Sequence, residues 1–251
     1  IFAFGGDGQL LEVVRNLGGR SVPIVGWHAG HMGFLMNEVP EDDEALRADL
    51  ASIASGAVEV MDCSPLCVSI DGGDGAAEVR FAFNEVAAFI RAIGSQAARL
   101  AIEIDGEPMG TFTGDGILLS SSQGTTGYAV HAGGPAVDPS VPSISLVPVN
   151  ANRSSAFPSL RLPVVHPPTS TVVLRVLEQE KRPVQLSMDG AVVEQDLHEI
   201  HVSTGLTITP PMIVRLLYPY NRDGERRRRF VRQLRRKFVD QDGGGGVGGR
   251  S

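Results

Sequence analysis

The sequence predicts an α/β layer at the N-terminus followed by a β-rich second domain, and three observations carry that prediction. Residues 1–4 (IFAF) and 22–27 (VPIVGW) are apolar runs of strand length, each followed by a helical stretch. From Val58 to about Leu217 the chain becomes rich in Val, Ile and Thr and is punctuated by DGGDG, DGEP, GDG and SMDG turns. Near 222–240 a basic segment of helical character returns.

Taken in order, IFAF reads as a short buried strand. Leu10, Leu11, Val13, Val14 and Leu17 follow at helix-compatible spacing, and Gly18-Gly19 stops that helix. VPIVGW reads as a second strand, and EDDEALRADLASIASG as an acidic-started helix ending at Gly56. Strand, helix, strand, helix is the order of a parallel α/β layer. The chain opens on Ile1 inside a strand, so a first strand–helix unit of the layer is expected to be missing. Within the β-rich domain a single helical window stands out, at 124–133. Phe230, Val231, Leu234 and Phe238 give the tail segment a helical stripe. The predicted division is 1–58 α/β, 59–217 β-rich, and a disordered Gly-rich tail at 241–251.

A chain of 251 residues can bury a sizeable core, and its longest apolar runs are too short to span a bilayer. Cys63 and Cys67 read as buried or free thiols in a reducing cytosol, which implies a cytoplasmic protein. Net charge is −7, yet Arg222–Lys237 holds nine Arg or Lys against Asp223 and Glu225. An acidic body with a basic tail points to docking on the chain's own body or a sister subunit. A solvated helix face explains such a run more simply than nucleic-acid binding.

Gly-Gly-Asp-Gly occurs twice. Gly72–Gly75 lies between CVSI and AEVRFAF, two strand-like runs, and reads as a hairpin turn, so Asp74 receives no chemistry. Gly5–Gly8 instead joins a strand to the first turn of a helix. There Gly5, Gly6 and Gly8 let a ligand approach the backbone, and the N–H groups of a helix start attract phosphate. Asp7 adds a carboxylate at the carboxyl end of a strand. It can hold Mg²⁺ or accept a proton from an attacking hydroxyl; a capped Gly-rich turn without chemistry fits the tetrapeptide equally well.

Three further stretches weigh against that bland reading: GWHAGHMGFL (26–35), FNEV (83–86) and TGDGILLSSSQGTTGYAVHAGGP (113–135). The last reads as a Gly-Asp-Gly turn, a strand, a Ser/Gly/Thr-rich loop, and a short helix from near Thr126 to Gly133. Hydroxyls and N–H groups at such a helix start can hold a nucleotide's ring edge or phosphate. Tyr128 can stack on a base, and Asp115 can accept from a ribose or a ring amide.

With these blocks in order and spacing, the sequence resembles the NAD kinase family, which shares Gly-Gly-Asp-Gly with diacylglycerol and sphingosine kinases. The resemblance covers most of the chain to about residue 240, including Met188-Asp189-Gly190 and FVRQLRRKF. It implies a Rossmann-like, diacylglycerol-kinase-type N-terminal domain completed by the tail helix at about 222–240, a β-rich dinucleotide-binding domain, and an active site between them. The implied reaction moves the γ-phosphoryl of ATP, or a phosphoryl of polyphosphate, to the 2′-hydroxyl of the adenosine ribose of NAD. Mg²⁺ or another divalent cation would accompany ATP. By position, Asp7 would be the catalytic base and Gly8 its backbone partner. Asn84 and Glu85 would hold a ribose or the adenine, and Asp115 the nicotinamide amide. Thr126, Gly127 and Tyr128 would line the adenosine pocket, with His131 close to it, and Phe34 would touch the nucleotide. A homodimer or homotetramer is implied.

Gln9, His28, Ser122, Gly127 and His131 depart from the family's usual residues. They keep open a dinucleotide-binding regulatory homologue that has lost turnover, and a lipid kinase shares Asp7 and the first motif. No side-chain set is assigned to a metal: His28 and His31 lie in a Gly-rich loop, and His166, His198 and His201 lack a partner at ligand spacing. Ser120–Ser122 has no Gly-x-Ser-x-Gly elbow, which speaks against serine hydrolase chemistry.

Overall fold

The computed structural model describes residues 1–28, 33–70, 78–91, 96–153, 159–194, 197–219 and 225–239. The Gly72–Gly75 turn, His31 and the tail at 241–251 lie outside the described residues. Contacts divide the chain into two compact units. One comprises Ile1–Leu10, Pro23–Met61 and the chain from Leu216 onward; the other comprises Leu11–Val22 and Asp62–Arg215.

In the first unit, strands Phe2–Gly5, Val25–His28 and Asn37–Glu38 form a parallel sheet in that order. Helix α1 (Asp7–Leu17) begins directly after the first strand, and helix α2 (Asp43–Ser55) follows the third. Sequence chemistry sets both ends of α2. The Asp42 side chain accepts from the Ala45 N–H at 2.8 Å, and Gly56 closes the helix at φ 75°, a conformation glycine adopts without strain. Asp49 on α2 is buried and accepts from the Trp27 indole at 3.2 Å.

The first strand departs from the buried pattern read from IFAF. Ala3 is buried, while Phe2 and Phe4 are 55% and 64% exposed. Alternation along the strand sends Ala3 to the buried face and both rings to the other. Those rings stack on Trp27 of the neighbouring strand, with centroids 5.8 and 5.2 Å away.

In the second unit two six-stranded antiparallel sheets share one core. The first runs Val164–His166, Ile144–Val149, Gly116–Ser121, Glu85–Ile90, Val184–Met188, Ala191–Glu194. The second runs Glu78–Ala82, Leu66–Ile70, Glu199–Thr204, Val172–Val176, Ala98–Ile104, Glu107–Gly114. Alternation is plain in ARLAIEI, where every second residue is buried. Its Leu100 and Ile102 join Ile117, Leu119, Ile144 and Leu186 in the core. Each such side chain contributes on the order of 1.5–3 kcal/mol on burial.

Strand Gly116–Ser121 is buried on both faces. Ile117 and Leu119 face the core, while Leu118 packs with Ala87, Val147 and Ala129 on the outer face. Ala129 belongs to helix α3 (Tyr128–His131), so the outer face of this strand seats that helix. The single helix expected at 124–133 is two short pieces, a 3-10 turn Gln123–Thr126 and α3. The break is Gly127, whose ψ of −121° is not helical.

Candidate functional site

The first unit places Asp7 at the opening residue of α1, immediately beyond the strand. Gly5 turns the chain at φ 151°, and a Cβ there would lie 2.8 Å from Gln9 Cβ. Gly6 and Gly8 differ: φ is not positive at either, and an added Cβ would meet nothing within 4 Å. Among the described residues, neither dihedral geometry nor packing demands glycine at those two positions.

The Asp7 carboxylate is held rather than loose. One oxygen accepts from the Phe34 N–H at 2.8 Å and the other from the Leu35 N–H at 3.4 Å. Close approach explains Gly33, where a Cβ would sit 3.1 Å from an Asp7 oxygen and 3.3 Å from His28 Cβ. The loop itself is fixed, since Tyr218 donates its hydroxyl to the Leu35 carbonyl at 2.7 Å. Helix α4 (Glu225–Phe238) adds the Gln233 amide, which donates to the Gly33 carbonyl. Phe34, expected only as a ligand contact, therefore also orients Asp7 through its backbone.

The second unit builds a separate cluster around Phe83-Asn84-Glu85. Asp189 accepts from all three backbone N–H groups, at 2.7, 2.7 and 3.1 Å. Its own N–H donates to the Glu85 carbonyl at 3.0 Å, and the Arg15 guanidinium donates to the Asp189 carbonyl at 3.3 Å. From the other side, Ser121 Oγ and Gln123 Nε2 donate to the Phe83 carbonyl at 2.6 and 2.8 Å. The Asn84-Glu85 pair is thus clamped by elements remote in sequence.

Two atoms of this clamped pair are unsatisfied. Asn84 Oδ1 and Glu85 Oε2 are buried with no hydrogen-bond partner among the described residues. Buried polar atoms are nearly always paired, so each orphan asks for a ligand or water. Burial, and secondarily the negative charge of Asp189, pushes the Glu85 carboxyl up to about 7. Burial also raises Asp189, opposed by its three backbone hydrogen bonds and Arg15.

The Gln123–His131 segment comes to the same place. A Cβ on Gly124 would meet the Asn84 carbonyl at 2.1 Å, so glycine alone allows this backbone approach. A Cβ on Gly127 would lie 3.5 Å from Glu85 Oε2 and 3.9 Å from Asn84 Nδ2. Thr126 is buried, Tyr128 is 46% exposed, and the Tyr128 ring lies 5.9 Å from that of Phe89. His131 is exposed at the end of α3. Asp115 is half-buried, and its carboxylate accepts from Asn150 Nδ2 at 2.6 Å.

The hydroxyl-rich loop is fastened by its own side chains. The hydroxyls of Ser120, Ser121, Ser122 and Thr125 donate to carbonyls of Asn84, Phe83, Val141 and Ser122 respectively. In these hydrogen bonds they fasten the loop to neighbouring backbone. Sequence reading also missed Gln123, Asn150 and the anchoring work of Asp189, the last signalled only by its SMDG turn. Among the described residues no group of three or more His, Cys, Asp or Glu can hold a metal ion.

A carboxylate fixed at a glycine turn, and orphaned polar atoms in the β-rich unit, are compatible with a protein that moves phosphoryl groups and binds a nucleotide. Residues 83–209 match the family described as the ATP-NAD kinase C-terminal domain. An NAD kinase of Caulobacter vibrioides is 33% identical over 204 residues, spanning 81% of this chain and 73% of that one. An NAD kinase of Brucella melitensis is 31% identical over 235 residues, spanning 90% and 82%. The crystal structure of yeast NADH kinase complexed with NADH superposes with a TM-score of 0.78 at 24% identity, covering 96% of this chain and 66% of that one. An NAD kinase from Archaeoglobus fulgidus in complex with ATP gives 0.73 at 24% identity, covering 94% and 82%. These two structures share the fold. The chain belongs to the NAD kinase family, and its activity is that of a kinase.

Proposed function

We propose that this chain transfers the γ-phosphoryl of ATP, or a phosphoryl of polyphosphate, to the 2′-hydroxyl of the adenosine ribose of NAD. The observation that carries the reading is the Asp7 carboxylate, held by the Phe34 and Leu35 N–H groups at a glycine turn. Gly6 and Gly8 are open on that turn among the described residues, which suits close approach of a phosphate.

Asp7 is assigned the catalytic role. It orients the 2′-hydroxyl and takes its proton as the bond from the 2′-oxygen to the γ-phosphorus forms. The bond from that phosphorus to the bridging oxygen breaks, and its electron pair leaves with ADP. Phosphoryl transfer through a loose transition state asks mainly for alignment and charge neutralisation, with proton removal late. Gly5, Gly6 and Gly8 are assigned to the donor phosphates. Asn84 and Glu85, with orphaned Oδ1 and Oε2, are assigned to a ribose or the adenine. Asp115 takes the nicotinamide amide, Thr126, Gly127 and Tyr128 the adenosine pocket, and His131 and Phe34 its borders.

A divalent ion fits this donor set when carried chiefly by triphosphate and water, since Asp7 offers one carboxylate and no cluster surrounds it among the described residues. Bound there, it would neutralise phosphate charge. We assign the protein to the cytoplasm, where Cys63 and Cys67, buried and not in a disulfide, suit a reducing compartment. No described helix is long and apolar enough to cross a membrane. A homodimer or homotetramer is the proposed assembly, and the proposed division is 1–58 with the tail helix, and 59–217. Incubating the full chain with NAD and either ATP or polyphosphate, and measuring NADP, tests the reading. NADP formed with either donor supports it; dinucleotide binding without NADP overturns it in favour of a regulatory homologue.

A further inference from the structure

Helix α4 carries a side chain that the roles assigned above leave unused. Lys237 is half-buried, and its Nζ lies over the Phe34 ring, 5.0 Å from the centroid. The Phe238 ring is 5.4 Å away. Burial pushes this ammonium below the ordinary lysine range, and the charge of Asp7 opposes the shift. One helical turn earlier, Gln233 fastens α4 to the Gly33 carbonyl. The helix is therefore fixed to the loop whose Phe34 and Leu35 N–H groups orient Asp7.

Arg235 and Arg236, its neighbours on the helix, are exposed, as a solvated basic face requires. Lys237 instead gives up hydration to lie over an aromatic ring within the field of the catalytic carboxylate. A cation over an aromatic ring gains a modest attraction, which an apolar side chain at the same place would match by packing. A cation is the better choice where an anion arrives beside it.

We propose that Lys237 is a further catalytic residue, whose ammonium contacts the transferring phosphoryl group at the Asp7 site. It neutralises charge on the non-bridging oxygens while the 2′-oxygen bonds to phosphorus, the proton passes to Asp7, and ADP departs with the electron pair. A positioned cation of this kind contributes through electrostatic stabilisation of the transition state. The inference rests on the NAD kinase reading for its acceptor, though not for its phosphate.

Calorimetric titration of the full chain with inorganic tripolyphosphate tests it, alongside K237M, K237R and R236M. K237M is expected to weaken binding about tenfold or more, the loss of one charge-assisted contact, and K237R to restore most of it. R236M removes the same charge from an exposed position 3.5 Å from Glu38, and is expected to stay within about twofold of the parent. If K237M does not fold, K237Q carries the same expectation. Equal affinities for K237M and the parent, or equal losses in K237M and R236M, overturn the proposal. In turnover, K237M is expected to lower kcat about a hundredfold with NAD affinity unchanged. NADP formation at the parent's rate in K237M removes the lysine's role and leaves the NAD kinase reading standing. Tripolyphosphate binding that depends on Lys237, in a parent that forms no NADP, does the reverse.

Discussion

Glu85 is a buried carboxyl with one oxygen unpaired, raised from 4.5 to about 7 by burial and then by Asp189. A carboxyl raised in the folded state stabilises the fold fully below its unfolded value and loses that contribution as pH rises through 7. E85Q keeps the shape and removes the titration. Thermal melting at about pH 5 and pH 8 should show the parent losing stability relative to E85Q, by at most about 3 kcal/mol. Parallel pH profiles would contradict this account of Glu85. Asp189 acts one step behind it. Replacing the carboxylate by an amide in D189N turns a donor toward three N–H groups and should cost about 2–4 kcal/mol in urea unfolding. NAD affinity should fall more than about tenfold in calorimetry, because Asn84 and Glu85 lose their anchor. The Asp7 turn was legible in sequence because its glycines stand where a strand pattern meets a helix pattern. Asp189 was legible only as a turn, since its partners lie more than a hundred residues away and no periodicity links them.

At the scale of elements, the segment from Gln123 to His131 shows what sequence withholds. Its composition announced a loop and a helix start, but composition does not say which way hydroxyls point. Ser121 and Thr125 turn inward to carbonyls, and Gly127 divides the helix in two. Backbone approach to Asn84 is the finer constraint. Gly124→Ala would bring a Cβ to 2.1 Å from the Asn84 carbonyl, so one chain segment must shift. The expected cost is about 1–3 kcal/mol with weaker NAD binding, read by denaturant unfolding and calorimetry. A variant with parental stability and affinity would mean that this contact does not set the geometry of Asn84. The first strand gives the opposite lesson: IFAF has strand composition, yet Phe2 and Phe4 alternate onto a face that stays largely exposed. Which face is covered depends on tertiary packing, which local sequence does not encode.

For the whole molecule, the change from alternating helices and strands to a β-rich chain near Val58 was visible in composition, and so was the returning basic helix. Two six-stranded sheets around one core were not, because their order joins strands far apart in sequence. Within each unit the candidate residues lie on short blocks legible by their glycines and carboxylates, while the clamps holding those blocks became legible only in three dimensions. The central claim is that Asp7 takes the proton from the acceptor hydroxyl. It is tested most directly by NADP formation in D7N at saturating NAD and ATP. Turnover is expected to fall about 10²–10⁴-fold from that of the parent chain; turnover near the parent's would contradict the claim.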